Sequence, residues 1–473
     1  MSRSRMPGTL AAHGAVPAVS FNAAKYLSVP EARSVTVGSL SAVGNSEERE
    51  TEPSVGQRLL WFLDRYRGQD GALNCPMMCR IRGPLDHSVL SEALDRVSAR
   101  HDALRTVFSG GGRKLRQIVR EPHPVELRQV DLRGEPDAES AVRERISEEL
   151  ATRIDATEDA VRCTLWQVAD DEHVLCVNMH HLVTDSWSCG VIFQDLCAVL
   201  DRLAGGTREL PDPGWQFTEF ADWQRGALES GELKKQLDYW RRELDGLALP
   251  PLPSRIDPGP RSTALVRGEL SDATVAALRS LAVGQGSSLF AAMLTLYYAT
   301  LHRTTGRTDL AVASLYANRL RPQTRRTVGF LANMVVLRTR LNPSAPVLDA
   351  LKTTHATVVG GFLNQGIPYQ LLPLPGSAND GARADDIVFQ MLAEPVYSIT
   401  VGDLDIEVLV PDGVGSRFEL ELVLVPHSEG FHVLLFYNEG RFTAAFAEEF
   451  IQRFVAASEL AAKNADLPVS RIC

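Results

Sequence analysis

Apolar positions along the chain alternate between helical and strand spacings. Residues 55–66 are mostly apolar and predict a helix, and 76–81 predict a short strand. Asp86 stands where an N-cap would, ahead of Leu90, Ala93, Leu94 and Val97 at the i, i+3, i+4, i+7 spacing of a buried helical stripe. Residues 172–179 form a near-continuous apolar run, the pattern of a strand covered on both faces. Phe193, Leu196, Cys197 and Leu200 then mark one stripe of a helix. The segment between that strand and that helix is a junction of rigid elements, where reactive groups are readily held in place.

From 205 to 260 the pattern weakens to loops and a helix containing Trp223 and the Tyr239-Trp240 pair, and the Pro-rich stretch 249–260 reads as a break. Beyond it, 275–283 and 289–301 predict helices and 310–315 a strand. Phe418, Leu420, Leu422 and Leu424 alternate as in a strand, and a return through 428–430 leads to a partner strand over 431–437. Phe446, Phe450 and Phe454 predict a last helix. Residues 1–48 are rich in Ala, Ser, Gly and Pro without periodicity and read as a flexible extension. A chain of 473 residues exceeds the roughly 250–300 at which single cores stop growing, so two are expected. The expected organisation is a mixed α/β (α+β) chain with an extension over 1–48, a first lobe over 49–225 and a second over 226–473.

Composition narrows the function classes. A hydrophobic share of 44% and a charged share of 23% are those of a soluble globular protein. A net charge of -10 argues against a general nucleic-acid binder, which needs a basic face to displace counterions. The local exception is Arg319, Arg321, Arg325 and Arg326, which could meet an acidic partner or a phosphate, or simply line a solvated loop. The longest apolar stretch, 289–301, is far short of the roughly 20 residues that span a bilayer. The N-terminus lacks the leucine-rich core of a signal peptide, and seven cysteines without CxxC spacing suit no closed disulfide framework. A cytoplasmic protein is expected, with no membrane and no nucleic-acid partner.

The chemistry concentrates in Met179-His-His-Leu-Val-Thr-Asp-Ser-Trp-Ser188. Adjacent residues on a strand face opposite ways, so His180 and His181 do not readily chelate one ion, and no HExxH spacing accompanies them; no metal is expected. The pair is either structural or includes one histidine doing acid/base work. Asp185 could accept a hydrogen bond from an imidazole or pair with an arginine. The GxSxG pattern of a serine nucleophile is absent, which suits direct transfer without an acyl-enzyme.

His180-His-Leu-Val-Thr-Asp-Ser-Trp-Ser188 resembles the HHxxxDGWS motif of the nonribosomal peptide synthetase condensation family, relatives of chloramphenicol acetyltransferase. Five other segments agree in order. Ser54-Val-Gly-Gln-Arg-Leu-Leu-Trp61 is similar to SxAQxRLW and Arg100-His-Asp-Ala-Leu-Arg-Thr-Val-Phe108 to RHExLRTxF. Phe217-Thr-Glu-Phe-Ala-Asp-Trp-Gln224 is similar to YxDYAxWQ, Val328-Gly-Phe-Leu-Ala-Asn-Met334 to IGxFVNT, and Asn364-Gln-Gly-Ile-Pro-Tyr-Gln370 to HQDxPFE.

The resemblance implies two acetyltransferase-like lobes forming a V, with a central tunnel that carrier-borne phosphopantetheine arms enter from opposite ends. It implies His181 as general base or orienting group, beside His180 and Asp185, with no bound cofactor. Asp185 would pair with Arg100, and Arg105 would act as a structural donor. Ser186, Trp187, Ser188 and Asn333 would border the tunnel, although Trp187 reads rather as packing and Asn333 equally as a loop-bridging amide. Trp223, Tyr239 and Trp240 would form core between the lobes. Departures are Ser186 in place of the motif glycine, Leu59 in place of an arginine, Gly366 and Gln370 in place of acidic residues, and no counterpart of RDxSRNPL before Val388. A side chain at 186 would stand where the donor arm passes and would disfavour a positive φ.

With no adenylation or carrier segment following, the resemblance implies a free-standing enzyme. It would take an aminoacyl or aryl acyl group from an acyl or peptidyl carrier protein in trans and pass it to an amine or alcohol, as ester-forming relatives in enediyne pathways do. The alternatives are a coenzyme A-dependent acyltransferase and a non-catalytic docking module.

Overall fold

The computed structural model describes residues 48–67, 71–249, 253, 256, 262–375, 383–392, 398–409, 416–427 and 429–472. The expected extension before residue 48, most of the Pro-rich break and Ser428 of the return lie outside them.

Two six-stranded sheets carry the fold. In the first, the apolar run forms the strand Glu172–His180, buried at all but its first residue. It lies between Asn74–Arg82 and Val161–Ala169, antiparallel to both. Leu127–Asp131 adds in parallel beyond Val161–Ala169. The other edge comes from far along the chain. The hairpin Ser398–Val401 and Leu404–Leu409 pairs with Asn74–Arg82, from Asp405 opposite Arg82 to Leu409 opposite Met78. Pro76, which has no N–H to give a ladder, lies two residues past that last pair. The hairpin also sends Val401 and Ile406 into the same core as Leu175, Val177 and Met179. A small sheet of Arg49–Thr51, Arg116–Val119 and Thr106–Ser109 flanks this half.

The second sheet runs Asn333–Arg340, Asp309–Tyr316, Ile387–Met391, Leu420–His427, Gly430–Asn438 and Thr263–Ser271 in spatial order. Ile387–Met391 is parallel to both neighbours and the other pairs are antiparallel. The helix Leu289–Thr305 lies buried against this sheet, with every residue from Leu289 to Leu301 removed from solvent. Ser288 caps it by accepting from the Ala291 N–H, and Gly306 ends it at φ 69° in the left-handed region. Among the described residues, no helix is long and apolar enough to cross a membrane.

The expected helix around Trp223 and Trp240 is two helices, Phe217–Glu229 and Lys234–Glu243. The first passes between cores: Phe217, Phe220 and Ala221 belong to the first and Ala227 to the second. Trp223 packs against both, whereas Tyr239 and Trp240 pack only in the second. Placing all three between the lobes is therefore corrected for the last two. The helix predicted at Asp86 is His87–Arg100, with the Asp86 carboxylate accepting from the Ser88 and Val89 N–H groups and the predicted stripe buried.

Candidate functional site

The central strand ends at His180, and the helix Ser186–Leu203 begins five residues past His181, the first residue beyond the strand. His181 is partly exposed and His180 is buried. The His181 Nδ1 lies 2.9 Å from the Thr184 carbonyl oxygen, which can only accept, so Nδ1 carries the proton and Nε2 keeps a free lone pair. The recessed position disfavours the imidazolium and lowers the pKa below the usual histidine value. The Thr184 carbonyl opposes that effect, and the nearby Arg417 charge adds to it.

His180 has the opposite tautomer. Its Nδ1 accepts from the Leu182 N–H at 3.0 Å, so Nε2 bears the hydrogen, directed at Asp64 Oδ1 3.5 Å away, too far for a good hydrogen bond. Asp64 is clamped by Arg153 at 2.6 Å. Burial would raise the Asp64 pKa, but His180 and Arg153 outweigh it and bring it to about 2. The two histidines thus have separate surroundings, one turned inward and one with a base lone pair available.

Asp185 is the N-cap of the following helix, accepting from the Ser188 N–H at 2.9 Å and the Ser188 hydroxyl at 2.7 Å. It does not pair with Arg100. Arg319 reaches it from the second half of the chain, Nη1 to Oδ2 at 3.0 Å and Nη2 to Oδ1 at 2.9 Å. The N–H groups of Leu331 and Ala332 complete the shell at 3.0 and 2.9 Å. These donors saturate a carboxylate's roughly four lone-pair sites and leave none for His181. Burial alone would raise the Asp185 pKa, yet Arg319 and Ser188 hold it below the usual carboxylate range.

Arg100 instead bonds Asp195 at 2.9 Å, and Asp195 also takes His101 and Arg326. Arg105 bonds the Ser98 carbonyl and Asp102. Neither arginine touches the motif. Arg100, at the end of its own helix, reaches Asp195 on the packed neighbour, whereas Arg319 has the planar fork aimed at Asp185. Of the arginines read as a partner-facing patch or a solvated loop, Arg319 is buried, Arg326 holds Asp195, Arg321 pairs with Glu232 above the Trp223 ring, and Arg325 is exposed.

The remaining motif residues sort by contact. Ser186 is exposed at the first helical position, and its backbone is not in the left-handed region. The departure from glycine therefore carries no backbone strain. Trp187 donates its indole N–H to the Arg325 carbonyl at 2.8 Å and packs against the first core. Ser188 is wholly buried; its hydroxyl accepts from the Gly329 N–H at 3.1 Å, a bracing position and not a tunnel wall. Gly329 has φ 153°, and a Cβ there would lie 2.0 Å from the Phe217 ring, so only glycine fits. Asn333 donates to the Gln365 and Ile367 carbonyls at 2.8 and 2.6 Å and accepts from the Tyr369 N–H, which makes it the tie between two of the ordered segments. Gly366 gives its N–H to the Gln236 side-chain oxygen, and a Cβ at 366 would crowd that amide, which would have to move.

Two roles were not legible in the sequence. Gln57, in the opening segment, is buried and donates to the Leu182 carbonyl at 2.9 Å, holding the motif loop. Phe330 stands edge-on to the His181 ring, centroids 5.5 Å apart and planes at 79°. It borders a cavity of about 380 Å³ whose walls come from Leu59, Leu63 and Phe220 on one side and Asn333, Met334 and Pro368 on the other, with Arg383, Asp385 and Arg417 among the polar groups.

Comparison with known proteins accounts for this arrangement. The family model for the condensation domain matches residues 48–473. Phosphinothricin tripeptide synthetase PhsC of Streptomyces viridochromogenes is 31% identical over 405 residues, 82% of this chain and 37% of that protein. Malpibaldin synthetase of Mortierella alpina is 28% identical over 441 residues, 90% of this chain and 8% of that protein. The chain thus spans well under two thirds of these relatives. Among solved structures, the X-domain from teicoplanin biosynthesis superposes with a TM-score of 0.77 at 23% identity, covering 92% of this chain and 99% of that one. The SgcC5 protein from Streptomyces globisporus, in complex with (R)-(-)-1-(2-naphthyl)-1,2-ethanediol and sucrose, gives 0.71 at 26% identity, covering 88% and 100%. With the ordered motifs and the two-sheet fold, the match identifies the chain as a member of the condensation domain family of nonribosomal peptide synthesis.

Proposed function

We propose that the protein transfers an acyl group from the phosphopantetheine arm of a carrier protein to an amine or alcohol acceptor, with His181 as general base. The observation that carries this reading is the locked tautomer of His181. With Nδ1–H held on the Thr184 carbonyl, Nε2 can take the acceptor's proton as its nitrogen or oxygen attacks the thioester carbonyl. The C–N or C–O bond forms, the C–S bond breaks, and the imidazolium returns the proton to the departing sulfur. The depressed pKa keeps the imidazole neutral at pH 7 and makes its conjugate acid a ready proton donor in the second half. The Thr184 carbonyl stabilises the transient positive charge. Asp185, saturated by Arg319 and the loop, holds the motif in place and takes no proton.

An alcohol acceptor is favoured by the likeness to the Streptomyces globisporus protein, which was solved with an aryl diol. An aromatic group of that kind suits a cavity walled by leucine, phenylalanine, methionine and proline. An alcohol also needs a base more than a neutral amine does, which makes His181 more critical for ester formation.

The test is transfer from acyl-carrier and acyl-coenzyme A donors to a panel of amines and alcohols, followed by product mass. Carrier-dependent product that falls about 10²–10⁴-fold in His181→Ala supports the reading. Turnover of the coenzyme A thioester alone overturns the carrier donor. An unchanged rate in His181→Ala overturns the base, and no transfer by the wild type from any donor in the panel returns the chain to a docking role.

A further inference from the structure

Phe330 makes three contacts that together define a boundary. Its ring stands edge-on to His181, it borders the 380 Å³ cavity whose lining does not include His181, and it faces Gly56 on the helix Val55–Arg67. A Cβ at Gly56 would lie 2.9 Å from Phe330 Cε1, closer than real side-chain carbons approach, and 3.2 Å from Cδ1, a tight contact, so the ring would have to shift. Gly56 does not have a positive φ, and glycine inside a helix is entropically unfavourable. The backbone therefore does not call for glycine here; the aromatic ring does. Residues 56 and 330 are 274 positions apart and come from the two halves of the chain.

We propose that Phe330 is a specificity-determining partition between His181 and the cavity, seated by Gly56, which limits the bulk of the acceptor group that can lie beside the reacting atoms. This rests on the acyl-transfer reading above. The acceptor's nucleophilic atom must come within hydrogen-bond reach of His181 Nε2, so the groups attached to that atom are the ones that meet the edge of the Phe330 ring. Compact substituents next to the nucleophile pass, and larger apolar groups are held on the cavity side against Leu59, Leu63 and Met334. Removing the ring joins the two spaces. Adding a methyl at 56 drives the ring toward His181 and narrows the passage.

The experiment compares the wild type with Phe330→Ala, Gly56→Ala and the double variant, using benzyl alcohol and 2-naphthylmethanol as uncharged acceptors of graded bulk. Binding is measured by calorimetry and acyl transfer by product formation. Phe330→Ala is expected to shift the preference toward 2-naphthylmethanol by tenfold or more, Gly56→Ala to shift it severalfold toward benzyl alcohol, and Gly56→Ala to do nothing once Phe330 is gone. A purely structural role for Phe330 would change melting temperature without moving the ratio. A ratio equal in all four proteins overturns the partition, and an undiminished effect of Gly56→Ala in the Phe330→Ala background overturns the seating. The binding ratio needs no turnover. Failure of the catalytic reading has a different signature, transfer undiminished in His181→Ala.

Discussion

Asp185 and Arg319 form a two-point ion pair, with Nη1–Oδ2 at 3.0 Å and Nη2–Oδ1 at 2.9 Å, and both side chains are 2% exposed. One residue belongs to the histidine motif and the other follows a strand of the second sheet, so the pair fastens the reactive loop to the opposite half. Breaking a buried pair on one side leaves an unpaired charge and costs about 3–5 kcal/mol. Arg319→Ala should lose that much in denaturant unfolding and displace the motif. Arg319→Lys should recover only part, because an ammonium cannot reproduce the two-point fork. Arg100→Ala removes a different contact, to Asp195, and should leave the His181 titration unchanged when followed by NMR.

The pH dependence follows from the direction of the His181 shift. Its folded pKa lies below the usual histidine value, so the folded state disfavours the proton that the unfolded chain accepts. The associated stability is present above the unfolded pKa of about 6.5 and is lost as pH falls toward and through the folded one. The acid limb of kcat/KM should therefore lie below about 6.5. Asp185, whose pKa is lowered, stays ionised across that limb and should not add a second inflection. A limb above the ordinary histidine value would show that the imidazole is held as the cation.

Ser186→Gly tests whether the departure from the family glycine matters. The residue is exposed at the first helical position, with no positive φ to relieve. Glycine there should lower stability by about 0–1 kcal/mol and leave the rate of transfer within a factor of two. A large gain in rate would show that the hydroxymethyl group obstructs the substrate.

The strand Leu404–Leu409 of the late hairpin is predicted to stabilise the first half although it comes late in the chain. Ile406 is fully buried in the core that contains Leu175 and Met179. Ile406→Ala should cost about 2–5 kcal/mol in unfolding free energy, as for other large-to-small core changes. A cost near zero would mean that the strand is an ornament on that sheet.

Local features of the sequence determined much of this protein. The Asp86 cap with its stripe, the buried run ending at His180 and the alternation from Phe418 to Leu424 depend on spacing within a few residues, so helix and strand periods expose them. The ordered segments, read by resemblance, were enough to indicate the family. What only the tertiary structure decided are relationships between residues far apart. Arg319 and not Arg100 meets Asp185 across 134 positions, because a guanidinium's partner depends on where the packing of two sheets aims it. The late hairpin joins the early sheet because strand pairing is non-local and leaves no mark on either strand alone. The free lone pair on His181 depends on a carbonyl three residues away whose direction is set by the turn. The place of Phe330 depends on the missing side chain of Gly56.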